Sequence, residues 1–166
     1  MNWKLLILIL VIVEFIYELI LDIIRYRSAN NPTPENVADV FDSETYLRWK
    51  RYSAENCKLS ILANILSTAL MLALLAINAH AVFAKLFPTD VFSQYFSVIL
   101  LHAILSTVLD TVTKYIRVMV IEEKYGFNRT TVKTFVLDQI RGLCLEMFLT
   151  IGLVSLLYLL QYHPKC

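Results

Sequence analysis

IEEKYGFNRTTVKTFVLDQIRGL, Ile121 to Leu143, is a charged, turn-containing stretch set between two long apolar runs, and the rest of the chain is placed by it. Glu122, Glu123 and Lys124 close one helix, Gly126 to Asn128 spells a turn, and Thr130 or Thr131 can cap a second helix. In that second helix Val132, Phe135, Val136, Ile140 and Leu143 recur at helical spacing, while Lys133, Asp138 and Arg141 lie off the apolar face. The pattern predicts an amphipathic helix over roughly 130–143. On periodicity alone the stretch is a polar connector between membrane spans.

Composition points the same way. Of 166 residues, 58% are hydrophobic and 17% charged, with three glycines, which leaves too little polar surface for a soluble domain. The expected fold class is all-α: a polytopic membrane protein in the lipid bilayer, with about four transmembrane helices plus amphipathic helices on the cytosolic side. A net charge of +1 gives no reason to expect a nucleic-acid partner. Cys57, Cys144 and Cys166 form no C-x-x-C pair, so neither a disulfide framework nor a thiolate zinc site is indicated. Cys166 stands last, without the three following residues that a prenylation signal needs.

Trp3 to Ile24 is an apolar run of about 22 residues, roughly 33 Å of helix and enough to cross a bilayer. Glu14, Glu18 and Asp22 interrupt it and no small-x-small site follows, which argues against a cleaved signal peptide. Spaced by four, the three carboxylates form one polar stripe down the helix. An ionised side chain near mid-membrane costs about 2.5 to 3.5 kcal/mol on insertion scales, so the stripe should face protein or water rather than lipid. It is either a packed face paired with Arg or Lys of another helix, or the lining of a hydrated cavity.

Residues 25–58 are polar and basic; Thr33-Pro34-Glu35 reads as cap, first-turn proline and acidic first turn of a helix over roughly 34–58 that runs into a second span over 59–86. Phe87 to Asp90 is a turn. A third helix over 91–120 carries His102, Ser106, Asp110, Thr113, Lys114 and Arg117 at spacings of three and four, with Asp110 and Lys114 able to pair. That face is either an internal ion pair with hydrogen-bonded packing or a substrate-facing wall. Residues 144–160 form a fourth, shorter span.

Twelve of the fifteen lysines and arginines flank the first and third connections: Arg25, Arg27, Arg48, Lys50, Arg51, Lys58, Lys114, Arg117, Lys124, Arg129, Lys133 and Arg141. The positive-inside rule then predicts both termini on the non-cytoplasmic side. No H-E-x-x-H, G-x-S-x-G, phosphate-binding loop or dinucleotide fingerprint occurs. His80, His102 and His163 stand without a partner at metal-ligand spacing, so no metal site, catalytic residue or resident cofactor is expected in this chain.

The run from Val120 to Gly142 resembles the signature in the N-terminal membrane domain of the type I CAAX prenyl proteases, zinc metalloproteases that trim prenylated or other membrane-associated substrates. The resemblance is carried by Ile121, Glu122, Glu123, Lys124, Gly126, Phe127, Asn128, Thr131, Phe135 and Asp138. Tyr46 to Tyr52 and Lys58 look like the family's first cytosolic helix. Tyr125 stands where histidine is common, and Arg129 and Arg141 where lysine is common, swaps that keep size or charge.

The resemblance implies a scaffold. The family's zinc ligands and catalytic glutamate lie in a later domain, so the stretch resembling it is the part that encloses a water-filled substrate chamber and supports the catalytic domain. Glu14, Glu18, Asp22, His102, Asp110 and Lys114 would then line that chamber. It also implies the endoplasmic reticulum membrane in a eukaryote or the cytoplasmic membrane in a bacterium. Two other readings remain open: a stand-alone non-catalytic membrane partner, and a small transporter or proton-handling bundle built on the carboxylate stripe.

Overall fold

A computed structural model describes residues 3–29, 31, 42–86 and 91–162. The helix start expected at Thr33 to Glu35, the turn expected at Phe87 to Asp90, and His163 and Cys166 lie outside the described residues. All regular structure among the described residues is helical: α1 Trp3–Ala29, α2 Ser43–Ala76, α3 Ala79–Ala84, α4 Val91–Tyr115, a π-helix Ile116–Glu122, and α5 Val132–Tyr162.

Helix α2 opens on a side-chain cap, with Asp42 accepting from the Thr45 amide at 3.3 Å and from its hydroxyl at 3.2 Å. It runs for 34 residues without a break, so the polar segment ending at Lys58 and the apolar segment beginning at Leu59 form one helix. No glycine or proline stands at that junction to end the hydrogen-bond ladder. The helix stops at Ala76 instead of continuing to Leu86. Asn78 takes the left-handed conformation, φ 54°, which its short polar side chain tolerates, and α3 starts from it.

Helix α5 likewise joins two expected elements, 130–143 and 144–160, into 31 continuous residues. Thr131 caps it, its Oγ1 accepting from the Thr134 amide at 3.2 Å. Among the described residues three helices are long and apolar enough to cross a membrane: Glu44–Ala76, Ser93–Glu122 and Val132–Leu160. The span expected over 3–24 falls on α1, whose Glu14, Glu18 and Asp22 set it apart from those three.

The fold divides into two units. The first comprises Met1–Ile77 with Val112–Arg129, where α1 packs along α2 and α2 packs against the π-helix. Its inner side chains are Asp22, Cys57 and Ile121, 3%, 8% and 7% exposed. The second comprises Asn78–Thr111 with Thr130–Cys166; among its described residues Ser97 and Phe135 are buried, and Ser97 satisfies its hydroxyl on the Gln94 carbonyl at 2.8 Å. Outward-facing apolar side chains cover α5, among them Leu145, Phe148, Leu149, Leu153 and Leu160, with Phe148 75% exposed. So large an exposed apolar surface suits hydrocarbon, not water.

Candidate functional site at the Glu122 to Asn128 turn

The turn is built from its backbone outward. The Glu122 carbonyl accepts from the amides of Phe127, at 2.8 Å, and Asn128, at 3.2 Å, while Gly126 donates to Glu123 at 3.0 Å and Tyr125 to Ile121 at 3.2 Å. These bonds satisfy carbonyls that the end of a helix leaves without partners. Gly126 sits at φ +71°, and a Cβ there would meet nothing within 4 Å. The requirement for glycine is therefore conformational, an L side chain in that region costing about 1–2 kcal/mol. Asn128 completes the turn, its Nδ2 donating to Glu123 Oε2 at 2.9 Å.

Helix α2 supplies a wall for this turn. The Tyr52 ring meets Phe127 edge-on at 5.0 Å and Tyr125 at 5.9 Å, and its hydroxyl donates to Glu122 Oε1 at 3.4 Å. One turn further, Glu55 Oε1 accepts from Lys124 Nζ at 2.5 Å and from the Tyr125 hydroxyl at 3.0 Å. The Arg48 guanidinium lies 5.6 Å from the centre of the Phe127 ring. From within the π-helix, Arg117 Nη2 donates to Ser60 Oγ at 3.1 Å. Tyr52, Glu55 and Ser60 thus meet a segment some sixty to seventy residues later in the chain, in which Ile121 is buried.

Two titrating groups of the turn lie outside the candidate spans, and both are displaced upward. The hydrogen bond to Glu55 holds the Lys124 ammonium above the usual lysine range. Burial, and then the bond to Glu55, raise the Tyr125 phenol. A raised lysine contributes its stability fully below its unfolded value, and that contribution is lost as pH rises through the folded value; at neutral pH the contact is intact. Lys124 is exposed, so its contribution is small and salt-sensitive.

The expected site residues separate into groups. Ile121, Glu122, Glu123, Lys124, Gly126, Phe127 and Asn128 gather against α2 in the first unit, whereas Thr131, Phe135 and Asp138 belong to the second, as helix cap, buried anchor and partner of Arg141 at 3.5 Å. Along α1, Glu14 is exposed, Glu18 half-buried and Asp22 buried, with Asp22 Oδ1 3.3 Å from Arg25 Nη1. His102, Asp110 and Lys114 are exposed on α4. Asp110 and Lys114 do not pair; the ion pairs among the described residues are Asp22–Arg25, Glu55–Lys124 and Asp138–Arg141. Among the described residues no three His, Cys, Asp or Glu side chains gather as a metal site would require, so the donor set here does not fit zinc.

Glu55 and Ser60 make contacts to the turn segment that periodicity does not single out. Glu55 is one of several carboxylates near the basic stretch of α2, and no local spacing reveals its lysine partner in a distant segment.

A family model described as CAAX prenyl protease N-terminal, five membrane helices, matches residues 22–163. The chain belongs to this family. It is similar to CAAX prenyl protease 1 of Saccharomyces cerevisiae, 27% identical over 164 residues, covering 86% of this chain and 35% of that protein. It is also similar to the crystal structure of S. mikatae Ste24p, with a TM-score of 0.81 and 26% identity over all of this chain and 41% of that one. The chain therefore spans about a third of the length of the curated relative. The family match begins at Asp22, so Glu14 and Glu18 precede it.

Proposed function

We propose that this membrane domain is the scaffold of a CAAX protease-like protein, enclosing a substrate chamber and supporting a catalytic domain that is supplied in cis or in trans. The observation that carries this reading is how the signature side chains are used. Glu122 is bonded by Tyr52, Lys124 and Tyr125 by Glu55, Asn128 by Glu123, and Phe127 is held between Tyr52 and Arg48. Their donors and acceptors are engaged in bracing the turn on α2, an arrangement suited to holding a neighbouring domain in register. The purified chain should not hydrolyse a prenylated or generic peptide, with or without added zinc, because it has no described donor set for a metal-bound water. Peptide cleavage that a chelator abolishes would overturn the reading. Co-expression with the remaining two thirds of a family protease should yield a complex that cleaves.

On this reading Glu14 and Glu18 of α1, and separately His102, Asp110 and Lys114 of α4, are exposed to water, while Asp22 is buried beside Arg25. Glu14 is exposed and Glu18 half-buried, with no ion pair on either among the described residues, and the cost of a carboxylate in hydrocarbon makes water the expected neighbour. In a chain lacking its native cysteines, Glu14→Cys and Glu18→Cys should react with a small water-soluble thiol reagent faster than Leu8→Cys and Ile12→Cys. Faster labelling at positions 8 and 12 would place the stripe on the wrong face.

The basic residues support an orientation with the Asn128 turn on the cytosolic side and both termini opposite, in the endoplasmic reticulum membrane if the source is a eukaryote or the cytoplasmic membrane if it is a bacterium. Asn128-Arg129-Thr130 spells a glycosylation acceptor, yet in this orientation it never meets the lumenal enzyme. Translation with microsomes should give one unshifted band, and glycosylation at Asn128 would reverse the topology.

A further inference from the structure

The π-helix at Ile116–Glu122 explains how two contacts reach α2 from one short segment. Arg117 bonds Ser60 and Glu122 bonds Tyr52, so both side chains face α2. They are five residues apart. In an α-helix, at about 100° per residue, Glu122 would point roughly 140° away from Arg117. With i→i+5 bonding a turn takes about 4.4 residues, so Glu122 lies only about 50° round from Arg117 and the two side chains share a face.

The arrangement is held without much reserve. The Tyr52 to Glu122 bond is long, at 3.4 Å, and Arg117 Nε is buried without a hydrogen-bond partner. A π-helix is itself the rarer form, and α geometry is the competing state of the same residues.

We propose that Ile116–Glu122 is a two-register latch. In the π register Arg117 and Glu122 both engage α2 and the Gly126 turn rests on Tyr52. In the α register the two contacts cannot both form, so losing either one removes what holds the π winding and lets the whole segment rewind, the Gly126 turn moving on α2 with it. The signature turn of this scaffold therefore has two positions, and the contacts at Ser60 and Tyr52 set the balance between them.

The test is hydrogen exchange, read by mass spectrometry, on the full chain in lipid nanodiscs. Ser60→Ala should speed exchange about tenfold across residues 116–128 together, including the amides of Phe127 and Asn128 that the Glu122 carbonyl accepts. Tyr52→Phe should do the same, about fivefold. Acceleration confined to amides within one turn of each substitution would overturn the latch, since it would report only a lost local contact.

Deleting the exposed Val120 gives a second arm. It places Arg117 and Glu122 four apart, in line on an ordinary α-helix. With one register left, Ser60→Ala in that background should leave exchange at the Gly126 turn unchanged. An equal acceleration with and without Val120 would sink the proposal. Should the deleted chain fail to fold, the spread of exchange in the Ser60→Ala and Tyr52→Phe chains decides alone.

Discussion

Ile121→Ala should destabilise the first unit by about 3 kcal/mol, the usual cost of cutting a fully buried isoleucine back to its Cβ. Ile121 is 7% exposed and lies where the π-helix packs on α2, a contact that brings both Arg117 and Glu122 to their partners. Buried Cys57 on α2 provides the readout. With Cys144 and Cys166 changed to serine, maleimide labelling of Cys57 should accelerate about a hundredfold, since each 1.4 kcal/mol of opening free energy is a factor of ten. An unchanged labelling rate would show that Ile121 contributes nothing to closing this unit.

Tyr52→Ala comes next, at about 2 kcal/mol, less than for a fully buried aromatic because the ring is only partly covered. It removes the edge contacts with Phe127 and Tyr125 and the bond to Glu122 in one step. Tyr52→Phe keeps the ring and loses only the long hydrogen bond, at about 1 kcal/mol or less. The readout is trypsin cleavage after Lys124 and Arg129, which flank the turn. Cleavage should be fast in the alanine chain and only slightly raised in the phenylalanine chain. Equal cleavage of the two would mean that the hydroxyl, not the ring, holds the turn.

These two positions also mark the boundary between local and long-range information. The helix stop at Lys124, the Gly126 turn and the Thr131 cap were legible because each is decided by residues within a few positions: a glycine at positive φ, a hydroxyl one turn ahead of an amide. The membrane class was legible from apolar content, since no soluble surface can be built from it. The resemblance to the CAAX prenyl protease N-terminal domain was legible because its signature is a contiguous run.

The length of α2 and α5 was not legible. A change from polar to apolar composition at Lys58 or Leu143 looks like a boundary, but it alters only the solvent that a helix prefers and leaves the backbone ladder unbroken. The break at Ile77 and Asn78 was hidden for the opposite reason, in a run whose hydropathy is continuous. What the sequence by itself determined about this protein was its all-helical membrane class, its turn and its caps, all set by neighbouring residues. Only the tertiary structure decided that Glu55 takes Lys124, that Tyr52 carries the turn and that Ile116–Glu122 winds as a π-helix. Several carboxylates could have met that lysine, and α geometry is the cheaper local choice, so contacts across some sixty to seventy residues of chain had to select the outcome.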